Sequence, residues 1–159
     1  MSIATNVTRL LDARRIKYTA FETPAEKLGA LETAQFLGVD PKLVSKTIVV
    51  MREKPRKPLL VVVPGPRDVD LKSLAAALGE KKVSLPSEHE AETLTGLQAG
   101  GISPLALINK GFQVVIDSSA KELGEIHVSG GKRGLNIKLP VEELARLTNA
   151  RFEDVVGGK

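Results

Sequence analysis

Residues 45–63 read SKTIVVMREKPRKPLLVVV, from Ser45 to Val63. Thr47–Met51 and Leu59–Val63 are apolar and rich in β-branched residues, the composition that fills a pleated, buried surface. The basic stretch Arg52–Pro58 between them has the polarity and the prolines of a turn. The pattern predicts a hairpin of two central strands with a charged loop.

Upstream, Val7, Leu10 and Leu11 recur at helical spacing behind Thr5, so residues 6–15 are expected to form a helix and Lys17–Glu22 a short strand. A second helix is expected over Leu31–Leu37, stopped by Gly38, and Asp40-Pro41 restarts a short one that ends at Lys46. Downstream, Asp70 caps a helix through Leu78 that stops at Gly79. Ser87 and Glu90 have capping-box spacing for a helix ending near Gly96, and Lys82–Leu85 lies between the two as a short strand. Gly96–Leu105 is expected as a loop with unusual backbone conformations. Strands follow at Gln113–Asp117, Glu125–Ser129 and Leu135–Leu139, then a helix over Pro140–Leu147 and an edge segment at Arg151–Val155. Such an irregular mixture predicts a single α+β domain over residues 1–159 with a largely antiparallel, curved sheet, not a doubly wound parallel one.

Composition narrows the chemistry. The 159 residues are 42% apolar, enough for one substantial core. There is no cysteine, which excludes a disulfide framework, a zinc ribbon and a thiol nucleophile, and the two histidines, His89 and His127, cannot build an HExxH centre. No convergent carboxylate set appears, so neither metal nor cofactor is expected. The opening residues lack the apolar stretch of a signal peptide and no segment is long enough to span a bilayer, so a cytoplasmic protein without membrane contact is expected. A net charge of +4 favours an anionic partner, whereas 3% aromatic residues are too few for general single-strand stacking.

Two glycine loops stand out, Gly100-Gly101-Ile102-Ser103-Pro104 and Gly130-Gly131-Lys132-Arg133-Gly134. Glycines let backbone N–H groups approach a ligand or a developing oxyanion, and they equally serve tight turns; neither loop matches a nucleotide fingerprint. Lys46, where a short helix meets a strand, reads either as a cation reaching into a pocket or as a snorkelling lysine. Arg52, Lys54, Arg56 and Lys57, with Lys132 and Arg133, read either as a contact for a nucleic-acid backbone or as solubilising charge. His127 and Ser129 share a strand face, and Asp117 would complete a Ser-His-Asp set, although no nucleophile elbow is present.

The segments SKTIVV around Lys46, DLKSLAAALG at Asp70–Gly79, GGISPL at Gly100–Leu105 and VSGGKRGL at Val128–Leu135 resemble the YbaK/EbsC family of Cys-tRNA(Pro) deacylases, relatives of the editing domain of prolyl-tRNA synthetases. The resemblance implies a barrel-like curved sheet ringed by helices. It implies that Lys46, Gly100 and Gly101 are catalytic, and that Phe21, Thr47, Ile102, Ser103, Pro104, Ser129 and Asn136 bind the aminoacyl end. Relatives often carry tyrosine where this chain has Phe21, which keeps the ring and lacks the hydroxyl. The implied reaction is cleavage of cysteine from mischarged tRNA(Pro), with the substrate's own thiol attacking the ester. The implied partners are tRNA and prolyl-tRNA synthetase. A water-using deacylase specific for alanine or of broader range, a non-catalytic tRNA-binding module and a serine esterase are the alternatives.

Overall fold

The computed structural model describes residues 5–53 and 56–157. Thr5 and Thr8 exchange side-chain and backbone hydrogen bonds in a capping box that opens α1 (Asn6–Ala13). Val7 and Leu11, one turn apart, are the residues it buries in the core. Glycine in the left-handed region ends three further helices, α2 (Ala30–Leu37) at Gly38, α3 (Leu71–Leu78) at Gly79 and α4 (Glu88–Thr95) at Gly96. Asp70 and Ser87 cap α3 and α4 as their spacing predicts. Asp40 heads a single 3-10 turn, Pro41–Leu43, by accepting the N–H of Lys42.

Among the described residues there are seven strands, β1 (Thr19–Glu22), β2 (Ser45–Val50), β3 (Leu59–Pro64), β4 (Gln113–Asp117), β5 (Glu125–Ser129), β6 (Leu135–Pro140) and β7 (Arg151–Glu153), with α5 (Val141–Thr148) before the last. They form two sheets. One is antiparallel in the order β1-β6-β5; the other runs β2-β3-β4-β7, antiparallel between β2 and β3 and parallel from there on. The α+β class therefore holds, while the strands form two sheets that do not close into a single barrel. Long crossovers explain the parallel pairs, because α3 and α4 carry the chain from the end of β3 back to the start of β4. The sheets are stitched at one isolated parallel bridge, Val44 to His127.

The main core fills the space between the sheets, with Val49, Leu60, Val62 and Ile116 facing Ile126, Val128, Ile137 and Leu139. Leu59, Val61 and Val63 point the other way, against Leu74 and Ala75 of α3. Burial on both faces is why β3 reads as an unbroken apolar run. β2 was expected to be central and is instead the edge of its sheet, paired with β3 alone along its length. The expected strand at Lys82–Leu85 shrinks to one bridge, Ser84 to Met51, because β2 has already ended at Val50 and offers no further partner.

Three basic side chains of the hairpin loop have partners within the protein. The Arg52 side chain is 11% exposed, and its guanidinium donates to the carbonyl of Lys57 at 2.6 Å and to Gln113 Oε1 at 2.9 Å. Arg52 and Arg56 both approach Glu80, whose side chain is 3% exposed. Lys57 donates to the carbonyl of Lys110 and lies over the Phe112 ring. Lys54 lies outside the described residues. Arg52→Ala is therefore expected to destabilise the fold by about 2–3 kcal/mol, since it withdraws one cation from a buried carboxylate. Urea denaturation measures this. A tRNA salt dependence shifted by about one phosphate contact, with stability unchanged, would restore Arg52 to the interface.

Candidate active site: a cleft along the edge of β2

The open edge of β2 is one wall of a cleft of about 570 Å³. Backbone bonding in an antiparallel pair alternates sides, so every second residue of an edge strand turns its N–H and C=O away from its partner. Ser45, Lys46, Thr47, Ile48 and Val49 all line this wall. Ser129 and Asn136, a register pair across β5 and β6, line the cleft too. The loops at residues 26–29 and 99–102 and the segment leading into α4 complete the enclosure. Lys46, Gly100, Thr47, Ile102, Ser129 and Asn136 are thus brought together from across the chain.

Lys46 enters where β2 begins, on the same strand face as Ile48 and Val50. Its Nζ lies 3.0 Å from Asp68 Oδ1, with the lysine side chain 28% exposed and the aspartate 94% exposed. An ion pair with one partner almost wholly in water is weak and screened. Lys46 is accordingly a half-buried cation that a phosphate or a carbonyl oxygen in the cleft can compete for.

Packing accounts for the glycines of the 99–104 loop. A Cβ on Gly101 would sit 2.9 Å from the backbone of Lys132, and one on Gly100, whose φ is +89°, would sit 3.2 Å from Lys27 Cα. Three loops meet at these two residues, and only the absence of side chains lets them do so. The Gly101 N–H donates to the carbonyl of Gln98 at 2.8 Å, so it is already committed within the loop. The N–H groups of Gly100 and Ile102 have no acceptor among the described residues, and these are the donors available to a ligand. Gly101→Ala is expected to cost about 1–3 kcal/mol by overpacking against backbone that cannot move aside. Thermal unfolding reads it, and a variant as stable as the parent would contradict the close approach of the two glycine loops.

Side chains grip the same loop. Arg133 Nε donates to the carbonyl of Ala99 at 2.8 Å, and Glu92 Oε2 accepts the Ala99 N–H at 2.7 Å. Arg133 therefore ties one glycine loop to the other instead of extending freely, while Lys132 is exposed. Ser103 is fully buried, with Oγ accepting the N–H of Leu105 at 3.1 Å to open the 3-10 turn Leu105–Leu107. Pro104 is buried beside it. Ser103, Pro104 and Gly101 shape the loop from beneath and do not line the cleft.

Phe21, in register with Asn136, lies behind the wall, its ring centroid 5.5 Å from that of His127. His127 is 3% exposed, and its Nδ1 lies 2.7 Å from Asn136 Oδ1. Burial pushes its pKa below the ordinary imidazole value, with the Asn136 bond acting in the opposite sense. The unfolded chain binds that proton first, so acidification below about pH 6.5 withdraws stability. Asp117 accepts the N–H groups of Ser119 and Val155 at the end of β4, in the other sheet. The Ser-His-Asp set is therefore not assembled, because the carboxylate and the imidazole belong to different sheets with different partners.

Two features of the cleft went unread in the sequence. Lys27, in the loop before α2, pairs with Glu88 at the head of α4, joining two sides of the mouth. Glu92 holds a loop seven residues away by side chain. Neither pair falls on a periodic spacing that would mark it. Among the described residues no group of three or more His, Asp or Glu side chains is placed to hold a metal ion, and no helix is long and apolar enough to cross a membrane.

The family model for the aminoacyl-tRNA editing domain matches residues 25–147. EbsC of Enterococcus faecalis, a protein named for deacylation of Cys-tRNA(Pro) and Cys-tRNA(Cys), is 34% identical over 153 residues, covering 95% of this chain and 92% of the relative. A proline–tRNA ligase of Thermodesulfovibrio yellowstonii is 28% identical over 133 residues, covering 84% of this chain and 22% of the ligase. A crystal structure described as a trans-editing enzyme for prolyl tRNA synthetase superposes with a TM-score of 0.80 at 26% identity, covering 99% of this chain and 100% of the other.

Proposed function

The chain belongs to the aminoacyl-tRNA editing domain family, and from that premise we propose that it cleaves cysteine from Cys-tRNA(Pro) with the substrate's thiol as nucleophile. The observation that carries the reading is the cleft itself. It gathers one half-buried cation, loop N–H donors and the polar pair Ser129 and Asn136, and among the described residues Ser129 has no base beside it, its Oγ accepting the N–H of Gly131. Such a site binds, orients and stabilises charge, which suits a reaction whose attacking group comes with the ligand.

In this reading the aminoacyl group lies between β2 and the 99–102 loop. The cysteine sulfur attacks the ester carbonyl carbon, a C–S bond forms, and the bond to the ribose oxygen breaks. The thiol proton ends on that oxygen, so tRNA leaves with a free hydroxyl and cysteine leaves as a four-membered cyclic thioester that water opens. The N–H groups of Gly100 and Ile102 face the developing oxyanion, and Lys46 steadies the terminal phosphate or the carbonyl. Ser129 and Asn136 orient the aminoacyl end, and Thr47 and Ile102 bound its side chain. No metal or cofactor enters any step. Cysteine and proline are close in size, so a synthetase cannot exclude one from the other's pocket by steric means, which is the need such an activity would meet.

Lys132, exposed on the loop between β5 and β6, is the best placed of the basic candidates to meet the tRNA backbone. Prolyl-tRNA synthetase is the proposed partner, since it releases the substrate. The testing experiment is a panel of tRNA(Pro) species carrying cysteine, alanine, serine or proline, incubated with the protein in the presence and absence of EDTA. Cleavage of the cysteinyl species unaffected by EDTA supports the proposal. Preferred cleavage of the alanyl species would replace it with a water-using deacylase, and no turnover of any species with retained tRNA binding would leave a binding module.

A further inference from the structure

The outer face of the three-stranded sheet carries a buried histidine, His127, to which the reaction described above assigns no role. Phe21, Asn136, Ser129 and His127 share one face, because Asn136 is in register with both Phe21 and Ser129, and His127 is two residues from Ser129. Asn136 lines the cleft while His127 does not. The imidazole is buried, flanked by the Phe21 ring and held by the backbone bridge to Val44, two residues from Lys46. A side-chain amide oxygen is an acceptor and carries no proton, so a ring nitrogen 2.7 Å from Asn136 Oδ1 has to be an N–H. That bond uses Asn136 Oδ1 and no other group among the described residues bonds the amide, which leaves its N–H2 for the cleft.

We propose, on the basis of the editing function argued above, that His127 is a positioning residue. By donating Nδ1–H to Asn136 Oδ1 it fixes the asparagine amide so that Nδ2 donates into the cleft, toward an oxygen of the aminoacyl ester. Burial holds the imidazole in its neutral form, which has a single N–H to give, so engaging Nδ1 selects one tautomer and one orientation of the amide. An unanchored asparagine at the same place would present oxygen or nitrogen to the substrate with comparable ease. The device therefore sets the hydrogen-bond sign of the cleft wall from behind it.

Two measurements test this. In protein labelled with 15N-histidine, the chain's two histidines are separated by a His89→Gln control, and His127 is expected to show a pyrrole-type shift at Nδ1 and a pyridine-type shift at Nε2. This arm needs no substrate, so it stands apart from the editing reading. In deacylation of Cys-tRNA(Pro), His127→Leu is expected to lower kcat about tenfold with KM little changed, as for one lost oriented hydrogen bond. His127→Asn, whose amide nitrogen falls near the position of Nδ1, should recover part of that loss. In an Asn136→Ala background, His127→Leu should cost nothing further, whereas a merely structural histidine would cost the same in both backgrounds. A pyridine-type Nδ1, an equal loss in both backgrounds, or a folded His127→Leu protein at wild-type rate would each overturn the proposal. Failure of the wild-type protein to cleave any mischarged tRNA would overturn its premise, with the tautomer still read by the first measurement.

Discussion

Cys-tRNA(Pro) is expected to be cleaved roughly a thousandfold faster than Ser-tRNA(Pro) under single-turnover conditions, although the two side chains differ by one atom. The expectation follows from where the nucleophile comes from. An attacking group held within the same bound molecule gains the large effective molarity of a well-oriented intramolecular reaction, worth factors of about 10⁵–10⁸ M in favourable cases. A thiol at neutral pH already has a few per cent of its reactive thiolate and is intrinsically a strong nucleophile. A serine hydroxyl in the same place has neither advantage, and neither His127, engaged with Asn136, nor Asp117, in the other sheet, is placed to supply one. Pocket fit alone would discriminate between near-isosteres by only about 10–200-fold. A ratio above that range therefore reports chemistry, and trapping a cyclic thioester before it opens would identify the route. Comparable rates for both esters, with free amino acid as the first product, would instead assign the attack to water.

Lys46→Ala is expected to lower the rate of Cys-tRNA(Pro) cleavage by about 10²–10³-fold, the loss typical of removing a charge-stabilising donor from a site. Stability should move by no more than about 1 kcal/mol, because the lysine's visible partner, Asp68, is almost fully exposed. Asp68→Asn supplies the control, since freeing the ammonium from a screened pair should leave activity in place. The kinetic split then assigns the role. Loss in kcat means that Lys46 meets charge that appears only in the transition state, while a raised KM with unchanged kcat means that it holds the terminal phosphate equally throughout. A folded Lys46→Ala protein with wild-type kcat and KM would remove Lys46 from the site.

Local chemistry was legible wherever it is self-contained. Thr5, Asp40, Asp70 and Ser87 cap the helices and turns their spacing announces, and Gly38, Gly79 and Gly96 end them in the left-handed conformation, because caps are satisfied within four or five residues. The runs at Gln113–Asp117 and Glu125–Ser129 became strands with those bounds. Pairing was less legible. β2 and β3 both contain runs of β-branched apolar residues, yet one is an edge and the other is buried on both faces, and that difference is made by β4 arriving parallel after a crossover of two helices.

The candidate site divides along the same line. The motifs around Lys46, Gly100 and Ser129 could be quoted from the chain, since residue type and short spacing are properties of sequence. Whether each side chain faces a ligand, a neighbouring loop or the interior could not. Ser103 turns under its loop, Arg133 clamps Ala99, Arg52 lies against Glu80, and His127 stands behind Asn136. The sequence by itself determined most of the elements, the absence of a cysteine nucleophile and the motif set. The tertiary structure decided which polar groups are spent on one another and which are left for a substrate. Each such hydrogen bond joins residues whose approach is set by the packing of two sheets, and no local pattern encodes that distance.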